Sequence, residues 1–330
     1  MTLLPRRALL ALALVAVLPL AQAAPPLLNV SYDVSREFYK DYNRAFAAHW
    51  KKTAGEDQVI NQSHGGSSRQ ARSVIEGLEA DVITMNQALD IDMVADKGLI
   101  AADWAKRLPN GAAPNTSVTV FMVRKGNPKG IKDWPDLAKP GVAPIIPNPK
   151  VTGNGRYGYL AAWGAAIKAG QTPAQAREMV QKIFQQVPVF DGGGRAATTT
   201  FAQRQIGDVL VTFESEVQSI VEEFGKNFEI VYPRSTILAE NPVAVVDKVV
   251  DRRGTRKLAE EYLKYLWSDE GQEIAVKHNL RPRNEKILAK YAAEFPKIST
   301  FTVDEVFGGW RKAQADHFND GAIYDQISKR

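Results

Sequence analysis

The sequence contains no cysteine and only four histidines among its 330 residues. The lack of cysteine excludes disulfide bonds, thiol chemistry and thiolate metal sites. The histidines lie far apart and lack metal-ligand spacing; they are His49, His64, His278 and His317. No nucleophile stands beside a base, and Asp33, Glu214 and Glu216 are scattered single carboxylates. These absences argue against an enzyme and predict neither a metal nor a cofactor.

Charge of one sign is not concentrated anywhere in the chain. The 42 basic and 37 acidic residues are interspersed and leave a formal net charge of +5. No basic stripe with interleaved aromatic residues occurs, so we expect no nucleic-acid partner. The mild positive balance would help to attract a small anion, although by itself it indicates only solubility.

Long hydrophobic runs are also missing after the first 20 residues. At the N-terminus, Arg6 and Arg7 precede an apolar run over 8–20, and Ala21-Gln22-Ala23 has the small-x-small pattern of a cleavage site. A membrane span needs about 20 apolar residues, so this run is too short to be an anchor helix. Residues 1–23 are therefore predicted to be a secretory signal peptide, and the rest to be a soluble exported protein.

The remaining chain, at more than 300 residues, is long enough for two lobes at about 150 residues per domain. Its first part alternates strands and helices: strands are predicted at 27–32, 58–62 and 81–85, with helices at 35–50 and around 71–78. The alternation recurs later, with strands at 142–146, 187–190 and 208–213 and helices at 156–169, 172–186 and 196–203. This order is typical of doubly wound sheets.

The sequence thus predicts an α/β fold of two doubly wound lobes joined by crossing strands at 118–123 and 242–250. We expect lobe 1 to contain residues 24–117 plus 248–330 and lobe 2 to contain 118–247. The helical stretch from Thr255 onward is expected to return and cover lobe 1.

Four predicted loops follow strands, where ligands bind in open α/β sheets. They are Tyr32 to Ser35, Ser63 to Ser68, Asn148 to Asn154, and Asp191 to Arg195. Three of them combine glycines, hydroxyls or polar side chains with an immediate helix start, the pattern of an anion clamp. For Ser67 an alternative remains, because Ser67 and Gln70 match a capping box in which the hydroxyl only closes its own helix. His64 is interpreted as a hydrogen-bonding loop residue.

Residues Gly153 to Gly158 spell G-x-G-x-x-G, the fingerprint of a dinucleotide-binding turn. Such a turn needs an acidic residue about 20 positions later at the end of the next strand. Glu178 is the nearest candidate, and it lies inside a predicted helix. We therefore expect this glycine-rich helix start to hold a small anion and not a dinucleotide.

Distinctive motifs occur along nearly the whole mature chain: LLNVSYDVSRE at 27–37, QSHGGSSRQA at 62–71, VRKGNP at 123–128, NPK-x-x-G at 148–153, YLAAWGAA at 159–166, GDVLVTFESE at 207–216, ILAE at 237–240, and VFGGW and DHF within 306–318. In these motifs the sequence resembles the periplasmic sulfate- and thiosulfate-binding proteins of ABC transporters.

The resemblance implies a type II periplasmic-binding-protein fold and a monomeric receptor that passes its ligand to a membrane permease. It implies a dianion held between the lobes by backbone N–H groups and hydroxyls, without a paired cation. The residues that match the family's ligand positions are Asp33 through its backbone, Ser67 by backbone and hydroxyl, Thr152, Gly153, Asn154 and Gly194.

Two departures keep the choice of dianion open. The sulfate receptors carry a second glycine where this chain has Asn154, and they present a tryptophan donor where this chain has Phe213, which has no hydrogen-bond donor. Both positions resemble the thiosulfate branch, as does Met85-Asn86-Gln87, whereas the segment from Val303 to Arg330 resembles the sulfate branch. Another oxyanion such as molybdate, or a hydrolase or transferase acting on sulfate or phosphate esters, is the remaining alternative.

The expected site consists of donors, which favours fully ionised sulfate or thiosulfate over phosphate, whose proton needs an acceptor. Helix N-termini would supply the neutralising positive potential. Arg156 and Arg195 flank the lobe 2 loops and either add to this field or form surface salt bridges.

Overall fold

A computed structural model describes residues 25–328, so the predicted signal peptide lies outside the described residues. Within this range the chain forms two β-sheets covered by helices, a mixed α/β architecture. No helix of the described range is long and apolar enough to cross a membrane.

The strands of the described range are β1 (Leu27–Tyr32), β2 (Ile60–Gly65), β3 (Val82–Thr84), β4 (Asn115–Arg124), β5 (Pro144–Ile145), β6 (Val209–Phe213), β7 (Phe228–Val231), β8 (Ser235–Glu240), β9 (Val243–Val245), β10 (Arg281–Pro282) and β11 (Ser299–Phe301).

The α-helices are α1 (Arg36–Ala54), α2 (Ser67–Ile75), α3 (Ala88–Asp96), α4 (Pro109–Ala112), α5 (Trp134–Leu137), α6 (Gly153–Lys168), α7 (Pro173–Gln185), α8 (Gly194–Thr198), α9 (Glu214–Phe224), α10 (Asp247–Arg253), α11 (Arg256–Lys264), α12 (Asp269–Lys277), α13 (Glu285–Lys290), α14 (Val303–Phe307), α15 (Trp310–Ala313) and α16 (Ile323–Ile327). Short 3-10 turns occur at Asp33–Ser35, Trp104–Lys106 and Tyr265–Trp267, and π-helical turns at Thr199–Gln203 and Gln314–Phe318.

The first sheet has the strand order β2-β1-β3-β9, and its first three strands are parallel. The register places Tyr32 beside Gly65 and Ser31 beside Thr84. The carboxyl ends of β1, β2 and β3 therefore lie along one edge, and the three segments that follow them meet there.

Apolar residues cover both faces of this sheet. Leu27 and Val82 pack with α1, α11 and α12 on one face, where Tyr42 and Tyr262 are fully buried. On the opposite face, Val30 packs with α2, α3 and α10. Strands β1 and β3 are therefore buried almost throughout, whereas the edge strand β2 is half-buried.

The second sheet is mixed and has the order β11-β8-β4-β6-β5. Its long strand β4 pairs antiparallel with β6, β7, β8 and β10, and β5 runs parallel to β6. Helices α6 and α7 pack on one face, with Phe121, Trp134 and Phe184 in the core. Phe201 and Ile220 cover the other face.

Two predicted strands differ from the structure. The valine-rich stretch 242–250 contains only the three-residue β9, which pairs antiparallel with β3 in the first sheet, and then turns into α10. Residues 187–190, which the structure describes, form no strand. Since β9 belongs to the first sheet, the passage between the sheets lies at Asn241–Pro242, before the predicted boundary at 248.

The C-terminal segment also differs from expectation. Helices α11 and α12 cover the first sheet as predicted, but β11 pairs in parallel with β8 of the second sheet. The helices that follow bury Phe307, Phe318 and Tyr324 in the core formed by α6 and α7. Residues 299–328 therefore pack mainly on lobe 2, while Arg311 reaches across to Asp96 of α3 at 2.9 Å.

Gly164 on α6 is where this segment docks. A Cβ at Gly164 would lie 2.2 Å from Cε2 of Phe301, so the bare glycine backbone receives the aromatic ring of β11. The ring of Phe301 packs directly on the backbone of Gly164, so any larger residue at position 164 must displace the ring.

We expect Gly164→Ala to lower the free energy of unfolding by about 1–3 kcal/mol, the usual cost of overpacking, measured by urea denaturation. Gly192→Ala is the control, because a Cβ there meets no atom within 4 Å. Alanine is a better helix former than glycine by about 1 kcal/mol, so an unchanged or stabilised Gly164→Ala protein would show that the ring is not held against α6.

Candidate functional site

A cavity of about 260 Å³ lies between the two lobes at the carboxyl edge of the first sheet. All seven residues singled out from the sequence line it, namely Asp33, Ser67, Thr152, Gly153, Asn154, Gly194 and Phe213. Its other walls include Tyr32, Asn86 and the glycines at 65, 66, 192 and 193, with exposed Arg69 at the rim. The structure therefore brings all of the predicted residues together.

In the described part of the chain, four helical segments begin at this cavity. Asp33 opens the turn that leads into α1, Ser67 is the first residue of α2, Gly153 of α6 and Gly194 of α8. First-turn N–H groups have no partner within their own helix. Each helix N-terminus also carries about half a positive elementary charge. Four such ends around one small cavity form an anion-binding geometry.

The hydroxyl of Ser67 is directed away from its own helix end. The residue before α2 is Gly66, and no side chain caps that helix. Ser67 Oγ instead accepts the Asn86 N–H at 3.3 Å and lies 3.5 Å from Met85 Sδ, while Gln70 Nε2 donates to Ser63 Oγ. The capping-box alternative for Ser67 and Gln70 is therefore wrong.

The hydroxyl of Thr152 has a different role from that of Ser67. Thr152 precedes α6, and its Oγ1 accepts the Gly155 N–H at 2.9 Å while donating to Asn148 O at 2.9 Å. Its one hydroxyl hydrogen is thus used within the loop. In this arrangement Thr152 shapes the helix start and leaves the N–H groups of Gly153 and Asn154 as donors.

Close backbone approach explains the glycines of the fingerprint and of the loop before α8. A Cβ at Gly153 would lie 2.2 Å from Asn86 Oδ1, and one at Gly155 would lie 2.2 Å from Pro147 O. At Gly194 it would lie 2.8 Å from Asn154 Nδ2. These glycines allow side chains and backbone from separate loops to meet around the cavity.

Asn154 links the cavity wall to a buried carboxyl group. Its Nδ2 donates to Glu216 Oε1 at 3.0 Å, and Glu216 lies in the first turn of α9. Burial raises the pKa of Glu216 to about 8, and the Asp33 carboxylate nearby adds to the rise. At neutral pH this carboxyl group is mainly protonated and brings little negative charge to the cavity.

Phe213 supplies an apolar part of the wall. It ends β6, is buried, and meets Tyr157 edge-on with ring centroids 5.5 Å apart. An aromatic ring offers no hydrogen-bond donor here. One side of the cavity is therefore lined by carbon.

The two arginines beside the lobe 2 loops lie in different surroundings. Arg195 is exposed and forms a salt bridge with Glu223 at 3.3 Å. Arg156 is buried, and its guanidinium donates to Pro149 O at 3.1 Å and across the lobes to Ser68 Oγ at 3.4 Å. Burial lowers the pKa of Arg156. The surface salt-bridge alternative therefore holds for Arg195 and not for Arg156.

The C-terminal segment holds the loop before α6 in place. Lys150 Nζ donates to Phe318 O at 3.0 Å, and it pairs with Asp320 at 3.1 Å and Asp325 at 3.0 Å. The segment that was expected on lobe 1 thus fixes the loop that carries Thr152.

Sequence reasoning assigned no role at this site to two residues that the structure places there. Asn86 lines the cavity and Glu216 stands behind Asn154. Asn86 follows β3 at the same edge as the loops after β1 and β2, so the strand-end rule applied to the third strand would have found it. Nothing local distinguishes Glu216 from other carboxylates, because its burial depends on how α9 packs against the starts of α6 and α8. His64 lies in β2, hydrogen-bonded to Gln62.

The described residues contain no group of three or more histidine, aspartate or glutamate side chains that could hold a metal ion.

The G-x-G-x-x-G letters all lie inside α6, where every one of the six residues is buried. Only the start of this stretch, Gly153 and Asn154, faces the cavity.

We predict that the pH dependence of stability will change in a Glu216→Gln variant. The pKa of Glu216 in the folded state, about 8, lies above its ordinary value of 4.5, so the folded protein binds one more proton between those values. The free energy of unfolding should then fall as pH rises through this window, by at most about 1.4 kcal/mol per pH unit, and level off above it.

Urea unfolding across this pH window tests the prediction. The variant should lose this part of the slope, whereas Glu76→Gln, an exposed carboxylate at the end of α2, should keep it. Equal slopes in wild-type and Glu216→Gln proteins would contradict a neutral buried Glu216.

Comparison of the sequence with known proteins finds a matching family profile and close relatives of known function. The sequence profile described as bacterial extracellular solute-binding protein matches residues 29–281. A thiosulfate-binding protein of Pseudomonas aeruginosa is 63% identical over 309 residues, which cover 93% of each chain. A sulfate-binding protein of Escherichia coli is 55% identical over 306 residues, covering 92% of this chain and 93% of that protein.

A solved structure supports the same placement. The sulfate-binding protein of Mycobacterium tuberculosis has a TM-score of 0.81 at 29% identity, and the match covers 89% of this chain and 99% of that one. The two-lobed α/β fold predicted from the sequence is thereby confirmed, and so is the resemblance on which the site residues were chosen. The chain belongs to the bacterial extracellular solute-binding proteins, in the family of sulfate- and thiosulfate-binding proteins.

Proposed function

We propose that this protein is a periplasmic receptor that binds sulfate or thiosulfate between its two lobes and delivers the dianion to an ABC importer. The observation that carries the proposal is the convergence of four helix N-termini on one small cavity whose walls are rich in glycines and short polar side chains. The names of the relatives, thiosulfate-binding and sulfate-binding protein, support it. Export by an N-terminal signal peptide at 1–23 is part of the same proposal.

In this proposal the anion contacts backbone N–H groups of Asp33, Ser67, Gly153, Asn154 and Gly194, with the Ser67 hydroxyl as a further donor. Several half charges from helix ends balance two negative charges without a directly paired cation. Glu216 is compatible with the dianion because burial keeps it mainly neutral at pH 7.

Lobe 1 in this proposal comprises residues 25–114 and 242–282, and lobe 2 comprises 115–241 and 299–328. The passages between them run side by side, since Asn241 Nδ2 donates to Asn115 Oδ1 at 2.8 Å and Arg281 pairs with Thr116. Lobe closure on the ligand would bend the chain at these passages. We propose that the receptor acts as a monomer and presents the closed form to the permease.

Thiosulfate is the ligand that the apolar wall favours. A terminal sulfur is larger and softer than an oxygen and accepts weaker hydrogen bonds, so it tolerates the ring of Phe213 in place of a donor. The 63% identity with a thiosulfate-binding protein points in the same direction. We therefore propose that the protein binds thiosulfate at least as tightly as sulfate.

An esterase or transferase using the same anion clamp is the competing function. The relatives are binding proteins, and the walls of the cavity offer no nucleophile paired with a base. We propose that the protein has no catalytic activity. Release of the alcohol from aryl sulfate or aryl phosphate esters by purified protein would overturn this part of the proposal.

Calorimetric titration of the mature protein with thiosulfate, sulfate, molybdate and phosphate tests the proposed function. Thiosulfate and sulfate should bind with one site each, and phosphate should bind at least about tenfold more weakly, because its proton meets a cavity of donors. The nearest carboxylate in the wall, Asp33, is paired with Arg36 at 3.3 Å. Failure of both sulfur dianions to bind, or phosphate affinity equal to theirs, would reject the proposal.

A further inference from the structure

We propose that Asn86 is a ligand-contacting residue, whose side-chain amide donates a hydrogen bond to the bound anion and sets the selectivity among anions. This inference rests on the proposed function and adds to it a side-chain donor from lobe 1. The resemblance to the thiosulfate branch included Asn86 within Met85-Asn86-Gln87 but assigned it no contact with the ligand.

The position of Asn86 follows from the first sheet. It lies two residues after β3, at the edge where β1 and β2 also end, and it lines the cavity. Its backbone N–H donates to Ser67 Oγ at 3.3 Å, which fixes the Asn86 backbone beside the first turn of α2. The side chain therefore projects from a backbone that is tied to the anion-binding helix start.

The amide of Asn86 is buried and incompletely paired. The residue is only 5% exposed, and Oδ1 has no hydrogen-bond partner among the described residues. A buried polar atom without a partner is costly, by an amount comparable to a lost hydrogen bond. Because none of the described residues holds Oδ1, the amide can turn Nδ2 toward an anion in the cavity without losing a hydrogen bond.

A dianion can pair with only one end of that amide. Sulfate and thiosulfate accept hydrogen bonds and have no proton to donate, so Nδ2 must face them, and a donor to a charged acceptor makes a strong bond. Turned the other way, Oδ1 would accept the proton of hydrogen phosphate in a weaker bond, because the negative charge of the anion makes its hydroxyl a poor donor. Asn86 therefore favours fully ionised anions through the orientation of its amide.

The amide also touches the opposite lobe. A Cβ at Gly153 would lie 2.2 Å from Asn86 Oδ1 and 2.8 Å from Nδ2, so the amide rests on the bare backbone of the first residue of α6. Gly153 is one of the proposed backbone donors. Asn86 and Gly153 thus reach the same end of the cavity from the two lobes.

Calorimetry on Asn86→Ala and Asn86→Asp tests the inference, with thiosulfate, sulfate and phosphate as ligands. Asn86→Ala should bind both sulfur dianions about tenfold to one-hundredfold more weakly, the effect of losing one hydrogen bond to a charged group. Asn86→Asp should weaken them by more than about a hundredfold through like-charge repulsion. It should also raise the affinity for phosphate relative to sulfate, because a carboxylate accepts the phosphate proton.

Asn61→Ala and Asn61→Asp are matched controls, since Asn61 is exposed on β2 and outside the cavity. Thermal unfolding of each variant verifies that it is folded. If Asn86→Asp does not fold, the affinities of Asn86→Ala alone test whether Asn86 contacts the anion. Unchanged affinities in Asn86→Ala, or an equal fall for every anion in Asn86→Asp, would overturn the inference. A wild-type protein that binds no sulfur dianion would instead reject the proposed function.

The contact between the lobes has its own test in the same assay. Gly153→Ala should weaken thiosulfate binding strongly in the wild-type background and less so in the Asn86→Ala background, where the amide no longer occupies the space. An equal loss in both backgrounds would show that Asn86 does not lie against Gly153 in the bound protein and would overturn the proposed contact.

Discussion

The first-turn N–H groups of a helix have no partner within that helix, and four such turns point at one cavity in this chain. Parallel pairing of β1, β2 and β3 forces their carboxyl ends to one edge, which sets the turns after β1 and β2 beside each other. On lobe 2, the starts of α6 and α8 are brought together by the Asn148 N–H, which donates to Asp191 O at 2.9 Å. Much of the remaining architecture serves to hold these unpaired donors in fixed positions.

Glycine makes the arrangement sterically possible. At Gly153, Gly155 and Gly194 the neighbouring atoms come so close that no Cβ fits without movement. The φ angles at these three positions are not left-handed, so the requirement is one of space and not of backbone conformation. This explains why the G-x-G-x-x-G letters resemble a dinucleotide turn. Both structures bring a helix N-terminus close to an anion, and both need the side chains removed.

The strand-end rule singled out four loops that meet at the cavity, because it depends on local order, in which a strand is followed by a turn and a helix start. The individual residues within those loops came from the resemblance and not from this rule. Three features escaped it for physical reasons. The strand β11 is three residues long, and its packing depends on Gly164, a residue far away in the sequence that leaves room for Phe301. Valines at 249 and 250 favour a strand by propensity, but packing against the first sheet makes them helical. The burial of Glu216 depends on the joint position of α6, α8 and α9.

Glu216 shows how the charge at such a site is balanced. A carboxylate beside a dianion would repel it, and the repulsion would be strong where water is excluded. Removal of water, however, also penalises the ionised carboxylate itself, which raises the pKa of Glu216 to about 8. The same dry surroundings strengthen the attraction between helix N–H dipoles and an anion. Burial therefore keeps the glutamate mainly neutral and able to hold Asn154, while it leaves the helix ends as the main source of positive potential in the cavity wall.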